Sequence, residues 1–187
     1  MSMPSTDLVC DKCGFKGSNT VMWGNFRYVE GGHEIPLSRI LGWCVDCSDF
    51  VAMEDFSTND DIVAEIEKTL DALKVRTKRW GSFSLLKSTR KDRLAEVERL
   101  SGLIAHLALI GERKGMERCL HCGSVNVERF DGTYSKPNSY ASKGTTDNTG
   151  FYHPGCGGEF LASISPMRFN VIFEPRFYSL NGDRLDR

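Results

Sequence analysis

The chain has 187 residues, with 24 Lys and Arg against 25 Asp and Glu for a net charge of -1, and 40% of its residues are hydrophobic. That length accommodates one large or two small domains, and the composition excludes a disordered charged tail or a histone-like polycation. Residues 1–9 show no basic or apolar leader pattern. The longest apolar stretch, Leu100 to Ile110, falls short of the roughly 20 residues of a membrane span, so a cytoplasmic, soluble protein is expected.

In chain order, the first feature is the pair Cys10-Asp-Lys-Cys13, followed by Gly14. Thr20 to Glu30 is strand-like and aromatic (Trp23, Phe26, Tyr28), Gly31-Gly32 predicts a turn, and after the second pair, Cys44 and Cys47, Phe50 to Phe56 predicts another strand. The aromatics can serve either as a stacking platform or as cover for a thin core. From Asp60 the period becomes helical, with Ile62, Ile66, Leu70, Leu73, Thr77 and Trp80 on one stripe, a capping-box-like Thr58-x-x-Asp61 start and Gly81 as the end. A second helix is predicted over Thr89 to Ile110, with Leu94, Val97, Leu100, Leu103, Ile104, Leu107 and Ile110 apolar and Gly111 as its stop. The two make a helical hairpin. The apolar surface of the second is too wide for one partner helix, so it should also contact a ribbon or another subunit.

A third pair, Cys119-Leu-His-Cys122 with Gly123, opens the C-terminal part, and a polar insertion at 131–150 predicts a mobile loop. The fourth pair is His153-x-x-Cys156. Strand-like runs Phe160 to Ile164 and Arg168 to Phe173 follow, and Asn181-Gly182 predicts a type I′ turn in a C-terminal hairpin.

Seven cysteines and His153 therefore form four pairs, enough for two tetrahedral sites, and the odd cysteine count argues against a full disulfide framework. Thirty residues separate Cys13 from Cys44, thirty separate Cys122 from His153, and 71 lie between Cys47 and Cys119. Equal short intervals and one long gap predict sequential pairing: Cys10, Cys13, Cys44 and Cys47 around one ion, Cys119, Cys122, His153 and Cys156 around the other. His121, between two ligands, competes with His153 only at the expense of strain. His33 and His106 lack a partner at ligand spacing.

On these knuckle motifs the chain resembles the zinc-ribbon superfamily over residues 8–55 and 117 to about 180. The resemblance implies two zinc knuckles and a small three-stranded antiparallel sheet per module. The expected fold is α+β: a zinc ribbon at 1–57, a helical hairpin at 58–116 and a second ribbon at 117–187, with two structural zinc ions.

Charge is unevenly distributed. Residues 1–73 carry 5 basic and 13 acidic groups, residues 74–118 carry 12 and 5, and residues 119–187 carry 7 of each. Lys74, Arg76, Lys78, Arg79, Lys87, Arg90, Lys91 and Arg93 cluster near the predicted hairpin tip. Arg90, Lys91 and Arg93 fall in a first helical turn, where a cation is disfavoured by about 0.3–1 kcal/mol, which points to an anionic partner as an alternative to a merely solvated face.

The expected function is that of a non-enzymatic adaptor binding nucleic acid or an acidic protein. Closed four-ligand sites leave no coordination position for a reactive water, and no phosphate-binding, metalloprotease or nucleophile-elbow motif is present. Alternatives are a degenerate nuclease resembling zinc-stabilised HNH endonucleases at His33 to Ser38, with His33 as general base, a redox dithiol protein, and a homo-oligomeric scaffold assembled through the second helix.

Overall fold

The computed structural model describes residues 3–57, 59–78, 88–132, 146–169 and 173–185. Among them are eleven strands in three sheets and two α-helices. This mainly β architecture corrects the expectation of two ribbon modules flanking a long helical hairpin. The chain divides into two compact units of interleaved segments: Met1–Asn25, Arg39–Glu54 and Arg118–Arg176 in the first, Phe26–Ser38, Asp55–Glu117 and Phe177–Arg187 in the second.

The first unit contains two sheets. One has the order β2-β1-β9-β8, from β1 (Met3–Cys10), β2 (Lys16–Ser18), β8 (Thr146–Tyr152) and β9 (Glu159–Phe169). The other has the order β6-β5-β7, from β5 (Arg39–Cys44), β6 (Asp49–Glu54) and β7 (Val127–Arg129). Every described strand pairing is antiparallel. Alternation along the strands sends Leu8, Phe160, Ala162 and Phe151 from one sheet, and Leu41, Trp43 and Phe50 from the other, into a single core with Phe130. Ring centroids lie 4.7 Å apart for Phe50 and Phe160, 5.3 Å for Trp43 and Phe50, and 5.0 Å for Phe130 and Phe151. Such tilted and edge-on pairs add roughly 0.5–1.5 kcal/mol each beyond their area. Gly17 is side-chain-free for a steric reason: a Cβ there would overlap the Phe50 ring.

The predicted strand 160–164 and the start of the run expected at 168–173 belong to the single strand β9, residues 170–172 lie outside the described residues, and part of the supposed loop 131–150 is β8. Residues 133–145 lie outside the described residues. In β8 the burial alternates so that Thr149 and Phe151 face inward, and Thr149 Oγ1 donates to the Phe160 carbonyl at 2.6 Å. Polar composition concealed a strand whose one inward threonine is satisfied.

The second unit has a sheet of order β11-β10-β3-β4, from β3 (Asn25–Glu30), β4 (His33–Pro36), β10 (Pro175–Tyr178) and β11 (Arg184–Leu185). Gly31 and Gly32, with φ of 55° and 84°, make the expected turn, with Glu30 opposite His33. The C-terminal hairpin forms too, but Tyr178 pairs with Arg184, leaving a five-residue loop rather than a type I′ turn at Asn181-Gly182. Phe26 and Tyr28 are buried, and Phe26 stacks on Tyr178 at 6.0 Å, so these aromatics form core and not an exposed platform.

Helices α1 (Asn59–Lys78) and α2 (Ser88–Arg113) pack on one another, and α2 also packs on β4. Position 58, the expected cap, and Gly81 lie outside the described residues. Gly111 does not stop α2, which runs to Arg113 and ends at Gly115, φ 86°. The buried faces also differ from the predicted stripes. Leu70 is exposed while Thr69 is buried and returns its hydroxyl to the Glu65 carbonyl. On α2, Leu94, Val97 and Ile104 are exposed, whereas His106, Leu109 and Ile110 are buried. Arg113 is buried over the Phe56 ring and donates to the Leu180 carbonyl at 2.6 Å.

Candidate metal centres

All eight predicted ligands lie in the first unit, in two groups of four. Cys10, Cys13, His153 and Cys156 form one, Cys44, Cys47, Cys119 and Cys122 the other, and within each the donor atoms lie within 4.8 Å of one another. The donor residues match those read from the sequence, but the sequential pairing is corrected: the first knuckle joins the fourth, and the second joins the third. Strand register does this. Cys10 at the end of β1 sits opposite Phe160 in β9, and Asp11 N donates to the Glu159 carbonyl, which brings the turn 10–13 beside the turn 153–156. Cys44 ends β5, and its hairpin partner β6 bridges through Met53 to Cys119, with Leu120 N donating to the Ala52 carbonyl.

The turns at Cys10, Cys119 and His153 share one local geometry, whereas in the Cys44 turn Ser48 N donates to the Val45 carbonyl at 3.2 Å. The amide of the residue after the second ligand donates back into the turn, from Gly14 to the Cys10 carbonyl, Gly123 to Cys119 and Gly157 to His153, at 2.8–3.0 Å. Cys10 N, Cys119 N and His153 N each donate to a carbonyl five residues on, at Phe15, Ser124 and Gly158, while Cys44 pairs with Asp49 at the same interval. Residues 14, 123 and 157 are glycines with φ of 71°, 78° and 69°. In the remaining turn Ser48 takes φ 51° itself.

In the Cys₄ group, Sγ atoms are 3.6 Å apart for Cys44 and Cys122 and 3.9 Å for Cys47 and Cys119. A tetrahedron with metal–sulfur bonds of about 2.3 Å has S···S edges of about 3.8 Å. In the Cys₃His group, Cys10 and Cys156 are 3.5 Å apart, and His153 Nδ1 lies 3.2 Å from both Cys13 and Cys156. The residues present thus fit one metal ion per group, and all seven cysteines are free of disulfides. The His153 ring is set by packing, at 4.9 Å from Trp43 and 5.3 Å from both Phe15 and Phe160. His121 takes part through its backbone amide, 3.3 Å from Cys119 Sγ, and not through its ring.

Burial pushes the Cys119 thiol up to about 11, with the Cys122 and His121 amides opposing. Cys47 is held well above the usual thiol range, first by burial and then by its sulfur neighbours. Cys10 behaves oppositely: although burial works to raise it, amides of Cys13 and Lys12 and the neighbouring sulfurs bring it down to about 6. Each cluster presents sulfurs that differ in how readily they ionise, with Cys10 lowered and Cys156 raised in one, and Cys122 lowered and Cys119 raised in the other. A bound metal ion would favour the thiolate at all of them. Lys12 adds a cation at the rim of the Cys₃His group, its Nζ donating to the Cys156 carbonyl at 2.6 Å.

Sequence reasoning missed the buried Glu54. It lies beside Met53 and its Oε2 accepts the Arg118 amide at 3.0 Å, while Glu54 N donates to the Arg118 carbonyl at the same distance. This clamps the segment entering the Cys119 turn. No sequence signal separates Glu54 from an ordinary surface acid. Of the predicted basic cluster, the side chains of Arg76, Lys78, Arg79, Lys87, Arg90 and Lys91 lie outside the described residues. Lys74 pairs with Asp71 at 3.1 Å, and Arg93 is half-buried. His33 is exposed at the start of β4 and belongs to neither donor group.

No protein-family model matches the chain, and no curated protein or solved structure shows significant similarity to it.

Proposed function

We propose that the chain is a non-enzymatic zinc protein in which two structural zinc ions fasten the strand ends of the first unit, and that it serves as an adaptor for an anionic partner. The observation that carries the zinc reading is the pair of four-donor groups made only of thiols and one imidazole at tetrahedral spacing. Soft thiolates with imidazole favour zinc over magnesium, calcium or manganese. Bound there, zinc would supply positive charge and cross-link distant turns. With four protein donors the first coordination sphere is full, which supports a structural over a catalytic role. The zinc-ribbon resemblance rests on the individual knuckle motifs and the glycines that follow three of them.

Elemental analysis of protein purified without chelator should find two zinc ions per chain, and one or none contradicts the reading. The adaptor role rests on charge: 12 basic against 5 acidic groups over residues 74–118. If about four of these cations meet phosphates, log K should fall with log[salt] at a slope near -3 to -4. Replacing Arg90, Lys91 and Arg93 by Gln should weaken oligonucleotide binding and flatten that slope. Unchanged binding, or none by the parent at low salt, refutes a nucleic-acid partner. The nuclease alternative has less support, since neither metal group includes His33.

A further inference from the structure

We propose that the outward face of α2 is the interface of an antiparallel homodimer, its occupant being the same helix of a second copy of this chain. Positions 94, 97, 101, 104, 108 and 111 of α2 are all exposed, and Leu94, Val97 and Ile104 are 55%, 52% and 52% exposed. Their alternating spacing of three and four residues is that of a helix–helix seam. The seam lies on a different side of α2 from His106, Leu109, Ile110 and Arg113, which are buried.

The choice of occupant follows from the order of the side chains. The bulky residues Leu94 and Val97 stand in the N-terminal half, and the small residues Ala108 and Gly111 in the C-terminal half. A second α2 laid antiparallel, centred between residues 102 and 103, sets Leu94 opposite Gly111, Val97 opposite Ala108 and Ser101 opposite Ile104, and two-fold symmetry repeats each pair. Every layer then joins a large side chain to a small one along about 26 Å of helix. A parallel pair would instead oppose Leu94 to Leu94 and Gly111 to Gly111, too wide at one end and hollow at the other. It would also bring together the cationic first turns, which carry Arg90 and Lys91 and no acid. The antiparallel pair separates them and sets Glu112 toward the partner's first turn.

Gly111 provides an independent indication. It lies inside the helix, where glycine costs about 1 kcal/mol relative to alanine. A Cβ built there meets nothing within 4 Å, so nothing within the described residues calls for its absence. Close approach of a partner's Leu94 does.

The test is sedimentation equilibrium of the full zinc-loaded chain, 21.0 kDa, over micromolar concentrations. The parent should form a dimer of twice that mass. Ala108→Leu, at an exposed position, should weaken dimerisation by about tenfold or more because each dimer gains two overfilled layers. Adding Val97→Ala to the same chain restores large-to-small pairing and should bring the affinity back to within about threefold of the parent. Gly111→Leu should raise the helix content or melting of the dilute monomer while weakening the dimer, a pair of opposite effects. A parent that stays monomeric at the highest attainable concentration overturns the proposal and leaves the face to a different partner. So does an Ala108→Leu chain that dimerises as tightly as the parent, or a double variant no better than Ala108→Leu.

Discussion

Replacing Gly14 by alanine isolates what a knuckle demands of its backbone. Gly14 has φ 71°, and a Cβ added there meets no atom within 4 Å. The substitution therefore introduces no clash, and its effect is the penalty of placing an L side chain in the left-handed region, roughly 1–2 kcal/mol. For a chain of this size that lowers Tm by about 2–8 °C. Ser48 offers the converse, since it already occupies φ 51° in the equivalent position of the Cys44–Cys47 turn. Ser48→Gly should raise Tm by about 1–4 °C, reduced by loss of the exposed contact from Ser48 Oγ to the Val45 carbonyl at 3.2 Å. Differential scanning calorimetry of the zinc-loaded proteins reads both. A Gly14→Ala protein as stable as the parent, or a Ser48→Gly protein less stable than it, would refute the view that the four turns share one strained position.

Three further outcomes follow from named side chains. Glu54→Ala should destabilise the protein by about 1–3 kcal/mol by removing the buried acceptor of the Arg118 amide. Competition with a chromogenic chelator should show one of the two metals released faster, the one held by Cys119, with Glu54→Gln milder than Glu54→Ala. Burial lowers the pKa of His106 below 6.5, and its Nε2 has no hydrogen-bond partner among the described residues. The unfolded chain then binds the proton more readily, so His106 should make melting temperature fall as pH drops from 6.5 toward the folded-state pKa, and His106→Leu should flatten that dependence. Dialysis against chelator should unfold the first unit and abolish near-ultraviolet circular dichroism from Trp43, because its ring packs on His153 of the Cys₃His donor group.

The ligands were legible because C-x-x-C turns with a following glycine are local, their chemistry carried by a few adjacent residues. Their pairing was not, because it is set by the register of β1 on β9. A gap of 71 residues between Cys47 and Cys119 looked prohibitive for a shared site, yet Glu54 and Arg118 are hydrogen-bonded to each other, so the segment between them leaves and rejoins the first unit at one point. Closure entropy grows only logarithmically with loop length, so a long excursion costs little more than a short one. Likewise, residues 26–38 leave after Asn25 and return at Arg39, whose guanidinium donates to the Met22 and Gly24 carbonyls. Helical periodicity located α1 and α2 to within a few residues, but it misassigned their buried faces: apolar residues occupy more of α2 than its own unit covers, and sequence alone ranks Leu94 with Ile110.

The nested pairing of ligands is tested most directly by zinc stoichiometry in three variants: Cys10→Ser, Cys10→Ser with Cys156→Ser, and Cys10→Ser with Cys44→Ser, each washed with a weak chelator. Cys10 and Cys156 share one group and Cys44 belongs to the other. The single variant and the Cys10/Cys156 double should therefore each retain one zinc, and the Cys10/Cys44 double should retain none. One zinc in the Cys10/Cys44 double and none in the Cys10/Cys156 double would contradict it and restore two sequential ribbons.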